Sequence, residues 1–270
     1  MRISIVTISY NQAKFLESAI TSVLNQNYDD LEYIVVDAGS TDGSMDVIER
    51  YRQNIARIIH EPDRGPADGL NKGFYRSTGD ILGYLNADDM YLPGTFQKVA
   101  DLFSISPSVD VVCGGGFIID EDGNPVRRIY SDPFDRRRYL YGAVTVLQQS
   151  TFFRRKAFEE TDGFNIHNRT CWDGELILSF SRHGKNIKTV HGRWSAFRLY
   201  GGSISGSGQT YARFLKDFEQ LFIEEYGRPM NRKDRILATL MRCEKWLLNP
   251  VALVHRLLDA FGITRRRLLQ

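Results

Sequence analysis

Within the first 105 residues the hydrophobic pattern switches repeatedly between two periods, and no other feature limits the fold as much. Short β-branched runs recur at Arg2–Ser9, Leu31–Val36, Ala56–His60 and Ile81–Leu85, each the length of a buried strand. Between them apolar residues fall at helical spacing. Phe15, Ala19, Ile20, Val23 and Leu24 follow Asn11, the expected N-cap, and Met45–Tyr51 and Pro93–Phe103 repeat the pattern. Pro66 opens a further helix, since proline is tolerated in a first helical turn. Strands alternating with helices predict a parallel sheet covered on both faces. A chain of 270 residues buries about three-quarters of its unfolded surface, so neither disulfides nor a structural metal is needed. The cysteines, Cys113, Cys171 and Cys243, lie far apart and form no C-x-x-C pair, which points to a reducing compartment.

Beyond residue 108 the rhythm turns antiparallel. Val109–Asp120 and Pro125–Tyr130 flank a turn at Glu121–Asn124, Val146–Arg154 reads as another strand, and Asp173–His183 as a short helix. Asn186–Tyr200 is expected to be extended, Gly201–Gly208 to form a mobile loop, and Gln209–Tyr226 a helix. Asn231–Leu258 is amphipathic and helical, broken at Asn249-Pro250. Charge divides unevenly: Tyr226–Gln270 holds 10 Lys/Arg against 3 Asp/Glu, leaving 25 against 30 in residues 1–225. An acidic body with a basic tail suggests a separate job for the tail. Ile3–Ile8 is too short and polar for a secretory leader, and no run of about 18 apolar residues reads as a membrane span. The expected location is the cytoplasm.

In an open α/β sheet, ligands bind beyond the carboxyl ends of the strands. The residues there are Thr7, Ser9, Tyr10 and Asn11 after the first strand, Asp37–Ser44 after the second, and Asn86-Ala87-Asp88-Asp89 after the fourth. Neither the G-x-G-x-x-G of a dinucleotide fold nor a G-x-x-x-x-G-K-[ST] phosphate loop is present, which argues against dehydrogenase and kinase chemistry. An acidic edge can still hold a diphosphate if a divalent cation bridges the two, and Asp88 and Asp89 supply hard oxygen ligands suited to magnesium or manganese. An Asp-Asp pair alone is more often a turn or cap; its place at a strand end favours function.

Four segments in order carry a resemblance: TISYNQAKFLESAITSVLNQNY, the DAGSTDGS loop, EPDRGPADGLNKGF and TGDILGYLNADD. Together they resemble the nucleotide-sugar-binding half of the family 2 glycosyltransferases, and QQSTFFRR at 148–155 and CWDGELILSFSRHG at 171–184 extend the likeness to about residue 205. The resemblance implies the GT-A fold, an α/β architecture with a Rossmann-like mixed central sheet, flanking helices and, here, a C-terminal helical extension. It divides the chain into a catalytic domain at 1–226, with a nucleotide-sugar half at 1–105 and an acceptor half at 106–226, and a basic extension at 227–270. It implies that Thr7, Ser9 and Tyr10 line the nucleotide pocket and that Asp37 accepts from the base, most often uracil. Asp68, Asn71 and Lys72 would close the pocket, Lys72 near base or phosphate. Asn86-Ala87-Asp88-Asp89 occupies the place of the Asp-x-Asp motif, with asparagine at the first position; Asp88 would contact ribose or metal and Asp89 would hold the cation, Mg2+ or Mn2+.

Trp172-Asp173-Gly174-Glu175-Leu176 resembles the family's Glu-Asp motif, tryptophan replacing glutamate, and Asp173 would be the general base of an inverting, hexosyltransferase-type reaction. As a residue alone, Asp173 reads more readily as a helix cap, since Leu176, Ile177 and Phe180 follow on an apolar face. Gln148, Gln149, Trp172, Glu175, Ser203 and Ser205 would contact donor sugar or acceptor. The expected partners are a nucleotide-sugar donor, UDP-linked by preference, and a glycan or lipid-linked glycan acceptor in surface polysaccharide synthesis. An inactive glycan-binding homologue and a sugar nucleotidyltransferase are the rival readings; the latter usually carries a Gly-rich basic loop that TISYNQAKF lacks. The tail, with Ile236, Leu237, Leu240, Trp246 and Leu257 on its apolar face, suits an anionic inner leaflet, the catalytic domain or a second copy in a homodimer, which would place the protein at the cytoplasmic face of the membrane. Basic residues alternating with large apolar ones, without a reading module, argue against nucleic acid.

Overall fold

A computed structural model describes residues 1–203, 211–248 and 253–254. Strands β1 (Ile3–Ser9), β2 (Leu31–Asp37), β3 (Arg57–His60) and β4 (Ile81–Asn86) run parallel in the order β3-β2-β1-β4. The sheet continues through β5 (Met90–Tyr91), β6 (Val111–Ile119), β7 (Pro125–Ile129), β8 (Thr151–Arg154) and β9 (Ile187–Arg198). Its full order is β3-β2-β1-β4-β8-β6-β9-β5, with β7 paired to β6. β8 joins β4 antiparallel, so the parallel half passes into a mixed half at that seam. This is the Rossmann-like mixed sheet of a GT-A fold.

Alternation along the strands builds a core on each face. Ile3, Ile5, Tyr33, Val35, Ile81 and Leu85 pack against helices α1 (Ala13–Leu24), α2 (Ser44–Arg50) and α4 (Thr95–Ile105). Val6, Ile34, Val36, Leu82 and Tyr84 pack against α3 (Pro66–Tyr75), α6 (Arg155–Glu159) and α7 (Trp172–Arg182). A third cluster joins α5 (Arg136–Leu140) and α7 to α8 (Tyr211–Tyr226) and α9 (Arg232–Leu248) through Leu140, Leu178, Phe222 and Ala238. Among the described residues no helix is long and apolar enough to cross a membrane.

Two local expectations are corrected. Asn11 is not the N-cap of α1. It takes a left-handed φ of 51°, and its side chain accepts from the Thr41 N–H instead. The helix starts one turn-residue later, at Ala13, whose N–H donates to Asp42 at 2.9 Å, so the loop after β2 caps α1. Nor is Val146–Arg154 one strand: Gln148–Ser150 forms a 3-10 turn and only Thr151–Arg154 joins the sheet. The buried Ser150 hydroxyl donates to the Gly115 carbonyl, and Gln149 reaches toward β4, which bends the chain before the strand begins. The Gly/Ser stretch beyond Ser203, including Ser205, and the break at Asn249-Pro250 lie outside the described residues.

Candidate active site

The carboxyl ends of β1, β2, β3 and β4 open into a cavity of about 760 Å³. Ser9 and Tyr10 enter from β1, Ala38 from β2, Asp63 and Arg64 from the loop after β3, and Asn86, Ala87 and Asp88 from β4; Ser203 closes one side. Tyr10 is 61% exposed and offers a ring face. Among the described residues the buried Ser9 hydroxyl finds no hydrogen-bond partner. Asp63 is part-buried, and burial pushes its carboxyl up although the Gly65 N–H holds it at 2.8 Å. Gly65, with φ 113°, is the N-cap of α3, and a Cβ at that position would sit 2.5 Å from the Arg169 guanidinium.

Adjacent aspartates at the end of β4 diverge. Asp88 lines the cavity; burial raises its pKa, opposed by the nearby Arg198 charge and Tyr200 hydroxyl. Asp89 is fully buried and accepts from Gln149 Nε2 at 2.7 Å, the Arg198 N–H at 2.9 Å and Asn86 Nδ2 at 3.3 Å. Burial, with the Asp88 charge beside it, drives its carboxyl well above the usual range. Asp89, expected to hold the cation, thus turns its oxygens to protein donors and is not among the residues that line the cavity. Among the described residues no three His, Cys, Asp or Glu side chains gather as a ready metal cluster. Asp88 remains the carboxylate open to the cavity.

A second cavity of about 510 Å³ adjoins the first, and Asn86, Arg169, Trp172 and Phe197 line both. Asp173 stands in it on the first turn of α7, with Tyr139, Gln148 and Gln149 around it. Burial raises the Asp173 pKa, opposed by the backbone N–H groups at the helix start. The N-cap of α7 is Cys171, so Asp173 is not the cap itself. Gly174 is required beside it, because a Cβ there would collide with the Tyr139 hydroxyl. Among the described residues the buried Gln148 Nε2 group finds no hydrogen-bond partner. Trp172 is buried against Tyr84 and Phe164, so its ring walls the junction rather than standing free.

Several residues expected at the ligand have protein partners in the frame. Thr7 is buried two residues short of the strand end and accepts from the Tyr33 hydroxyl. Asp37 is fully buried and orders the following loop, accepting from the Gly39 and Ser40 N–H groups and the Ser40 hydroxyl, with His60 Nδ1 at 2.9 Å. Asp68 holds Arg64, and Arg64 drives its carboxyl below the ordinary value. The Asn71 amide clamps the backbone of Phe164, while Lys72 donates to the Pro62 carbonyl and pairs with Glu61. Glu175 accepts from Asn165 and Asn168. None of these six lines either cavity. Asp63, Arg64, Arg169, Tyr139 and Phe197 do, and went unread in the sequence; for Asp63 and Arg64 the signal was available, since they follow β3 as Asp88 follows β4.

A strand-end cavity with a carboxylate at the end of β4, and a helix-borne aspartate across the junction, accompany the GT-A-type sheet. Residues 4–162 match Glycosyl transferase family 2, and the chain belongs to that family. It is similar to an uncharacterized glycosyltransferase of Nostoc sp., 29% identical over 75% of this chain and 66% of that protein. It is also similar to chondroitin synthase of Escherichia coli, 28% identical over 70% of this chain but only 28% of the synthase, and to a PGL/p-HBAD biosynthesis glycosyltransferase of Mycobacterium tuberculosis, 28% identical over 74% of this chain and 77% of that one. Among solved structures, S. aureus TarS 1-349 in complex with UDP-GlcNAc superposes with a TM-score of 0.65 at 17% identity, over 92% of this chain and 72% of TarS 1-349. Mannosyltransferase PcManGT from Pyrobaculum calidifontis, in complex with GDP-Man and Mn2+, gives 0.64 at 20% identity, over 97% and 75%. These likenesses establish the fold.

Proposed function

We propose that the protein is an inverting, cation-dependent glycosyltransferase that moves a sugar from a nucleotide donor to a hydroxyl of a glycan or lipid-linked glycan. The observation that carries this reading is the shared wall: the larger cavity holds Asp88, the smaller holds Asp173, and the two meet at Asn86, Arg169, Trp172 and Phe197. A nucleotide in the larger cavity would stack on Tyr10 and meet Asp63 and Ser9, leaving its sugar directed at the junction. Asp173 would take the proton of the acceptor hydroxyl as that oxygen bonds to the anomeric carbon. The bond from that carbon to the phosphate oxygen breaks, its electron pair leaves with the nucleoside diphosphate, and the anomeric centre inverts.

Asp88 would hold the cation, Mg2+ or Mn2+, which neutralises charge on the leaving diphosphate. One open carboxylate fits this role, because magnesium sites commonly use one or two carboxylates with substrate phosphates and water completing the shell. The cation bound in PcManGT and the UDP-sugar bound in TarS favour this donor class. The likeness to a chondroitin synthase favours an acceptor among glycans. Ile236 and Leu240, 55% and 61% exposed on α9 among Arg232, Lys233 and Arg235, support contact with an anionic membrane face.

The test is a thermal-shift screen of UDP, GDP, CDP and dTDP with and without Mn2+ or Mg2+, on the wild type and Asp88→Ala. A ligand that binds only the folded state stabilises it by about 2.7 kcal/mol at a hundredfold excess over its dissociation constant. One nucleotide is expected to shift the wild type with cation present, and Asp88→Ala to lose the cation's share. A wild type that responds to none of the four defeats the donor reading.

A further inference from the structure

Of the four side chains shared by the walls of both cavities one is cationic: Arg169. We propose, resting on the donor reading above, that Arg169 is a diphosphate-binding residue, gripping the donor between nucleoside and transferred sugar. Asp88 puts negative charge in the same cavity, so a diphosphate there needs positive charge beyond what one bridging cation brings. The neighbouring arginines are engaged elsewhere. Arg64 pairs with Asp68 at 3.2 Å, and Arg198 donates to the carbonyls of Asp88, Asp120 and Glu121. Among the described residues no carboxylate pairs with the Arg169 guanidinium.

The loop that carries Arg169 is built to hold it in place. On one side Glu175 accepts from Asn165 and Asn168, both at 2.8 Å. On the other, Asp217 from α8 accepts the Arg169 N–H at 3.2 Å and the Thr170 hydroxyl at 2.8 Å. The backbone is thus fixed at both flanks while the side chain extends over Gly65, where any Cβ would obstruct the guanidinium. Glu175, expected at the donor sugar or acceptor, thus sits behind the loop and positions the arginine. A guanidinium presents two parallel N–H donors to a phosphate, a geometry lysine lacks.

Calorimetric titration tests this with UDP, GDP, CDP and dTDP, each against its own nucleoside, on the full-length wild type, Arg169→Ala and Arg169→Lys, with Mn2+ and with EDTA. Arg169→Ala is expected to weaken the diphosphate about tenfold or more, as loss of a charge-assisted hydrogen bond does, and to leave the nucleoside within about twofold. The penalty persists in EDTA, since the arginine contact needs no metal, and Arg169→Lys recovers only part of it. Equal binding of the diphosphate by wild type and Arg169→Ala overturns the assignment while sparing the donor site. So does an equal loss for nucleoside and diphosphate, which marks a structural role. A wild type that binds no diphosphate defeats the donor reading itself, and this proposal with it. Circular dichroism melts confirm that each variant is folded.

Discussion

Asp173 is the residue whose surroundings bear most directly on chemistry. Burial raises its pKa above the ordinary carboxylate value, opposed only by backbone N–H groups at the start of α7. As the proposed general base Asp173 would act in its ionised form, so the acid limb of turnover should lie above the pH expected for a solvated aspartate. The same shift bears on stability. Because the folded pKa exceeds the unfolded one, folding favours the protonated acid; that contribution is full below the unfolded pKa and is lost as pH rises through the folded one. Asp173→Asn is therefore expected to cut turnover by about two to four orders of magnitude while raising the melting temperature at neutral pH. That gain should fade as pH falls through the folded pKa, where the wild-type acid is itself neutral. A variant that melts at the wild-type temperature across the whole pH range contradicts this. The motif made Asp173 legible, and position at a strand end did the same for Asn86 and Asp88. Nothing local distinguished Arg169, which becomes interesting only when α3 and the loop before α7 face one another.

Asp89 shows how elements are tied together at the site. Its carboxylate joins the end of β4 through Asn86, the turn at Gln148–Ser150 through Gln149, and β9 through the Arg198 N–H. These contacts span 60 and 109 residues of sequence for Gln149 and Arg198, so the aspartate fastens the parallel half of the sheet to the mixed half. Alanine there would leave buried donors unpaired, each costing about 1–3 kcal/mol. Urea unfolding of Asp89→Ala should therefore show a loss of about 3 kcal/mol or more, whereas Asp88→Ala, which relieves a buried charge, should unfold at or above the wild-type midpoint. Equal midpoints for the two variants would remove the structural assignment of Asp89. The loop after β2 works similarly on a smaller scale: Asp42 and Ser44 receive the N–H groups of Ala13 and Gln12, so one strand's exit loop caps another strand's helix.

At the scale of the whole molecule, α9 is joined to the catalytic body by specific polar contacts as well as by apolar packing. Asp234 accepts from the Tyr141 hydroxyl at 2.9 Å and from Arg228, which holds its carboxyl well below the ordinary range. Lys245 pairs with Asp132 at 2.8 Å, Arg138 with Glu244 at 3.0 Å, and Ala238 is buried in the cluster with Phe222 and Leu178. A chain ending at residue 228 is expected to melt about 4 °C lower or more and to float less with anionic liposomes than the full chain. An unchanged melting temperature would detach α9 from the body, and equal flotation would end the membrane reading of the tail. The amino-acid sequence by itself determined the alternating elements, the two covered faces of the parallel half and the strand ends at which a cavity opens, because hydrophobic period and strand direction are local properties of the chain. Only the tertiary structure decided that Asp88 faces the cavity while Asp89 is locked behind it, that Asp37, Asp68, Asn71 and Glu175 brace the frame, and that Arg169 stands at the junction. Each of those outcomes depends on which distant donor or carboxylate a side chain meets, and that partner arrives from another element only when the sheet closes.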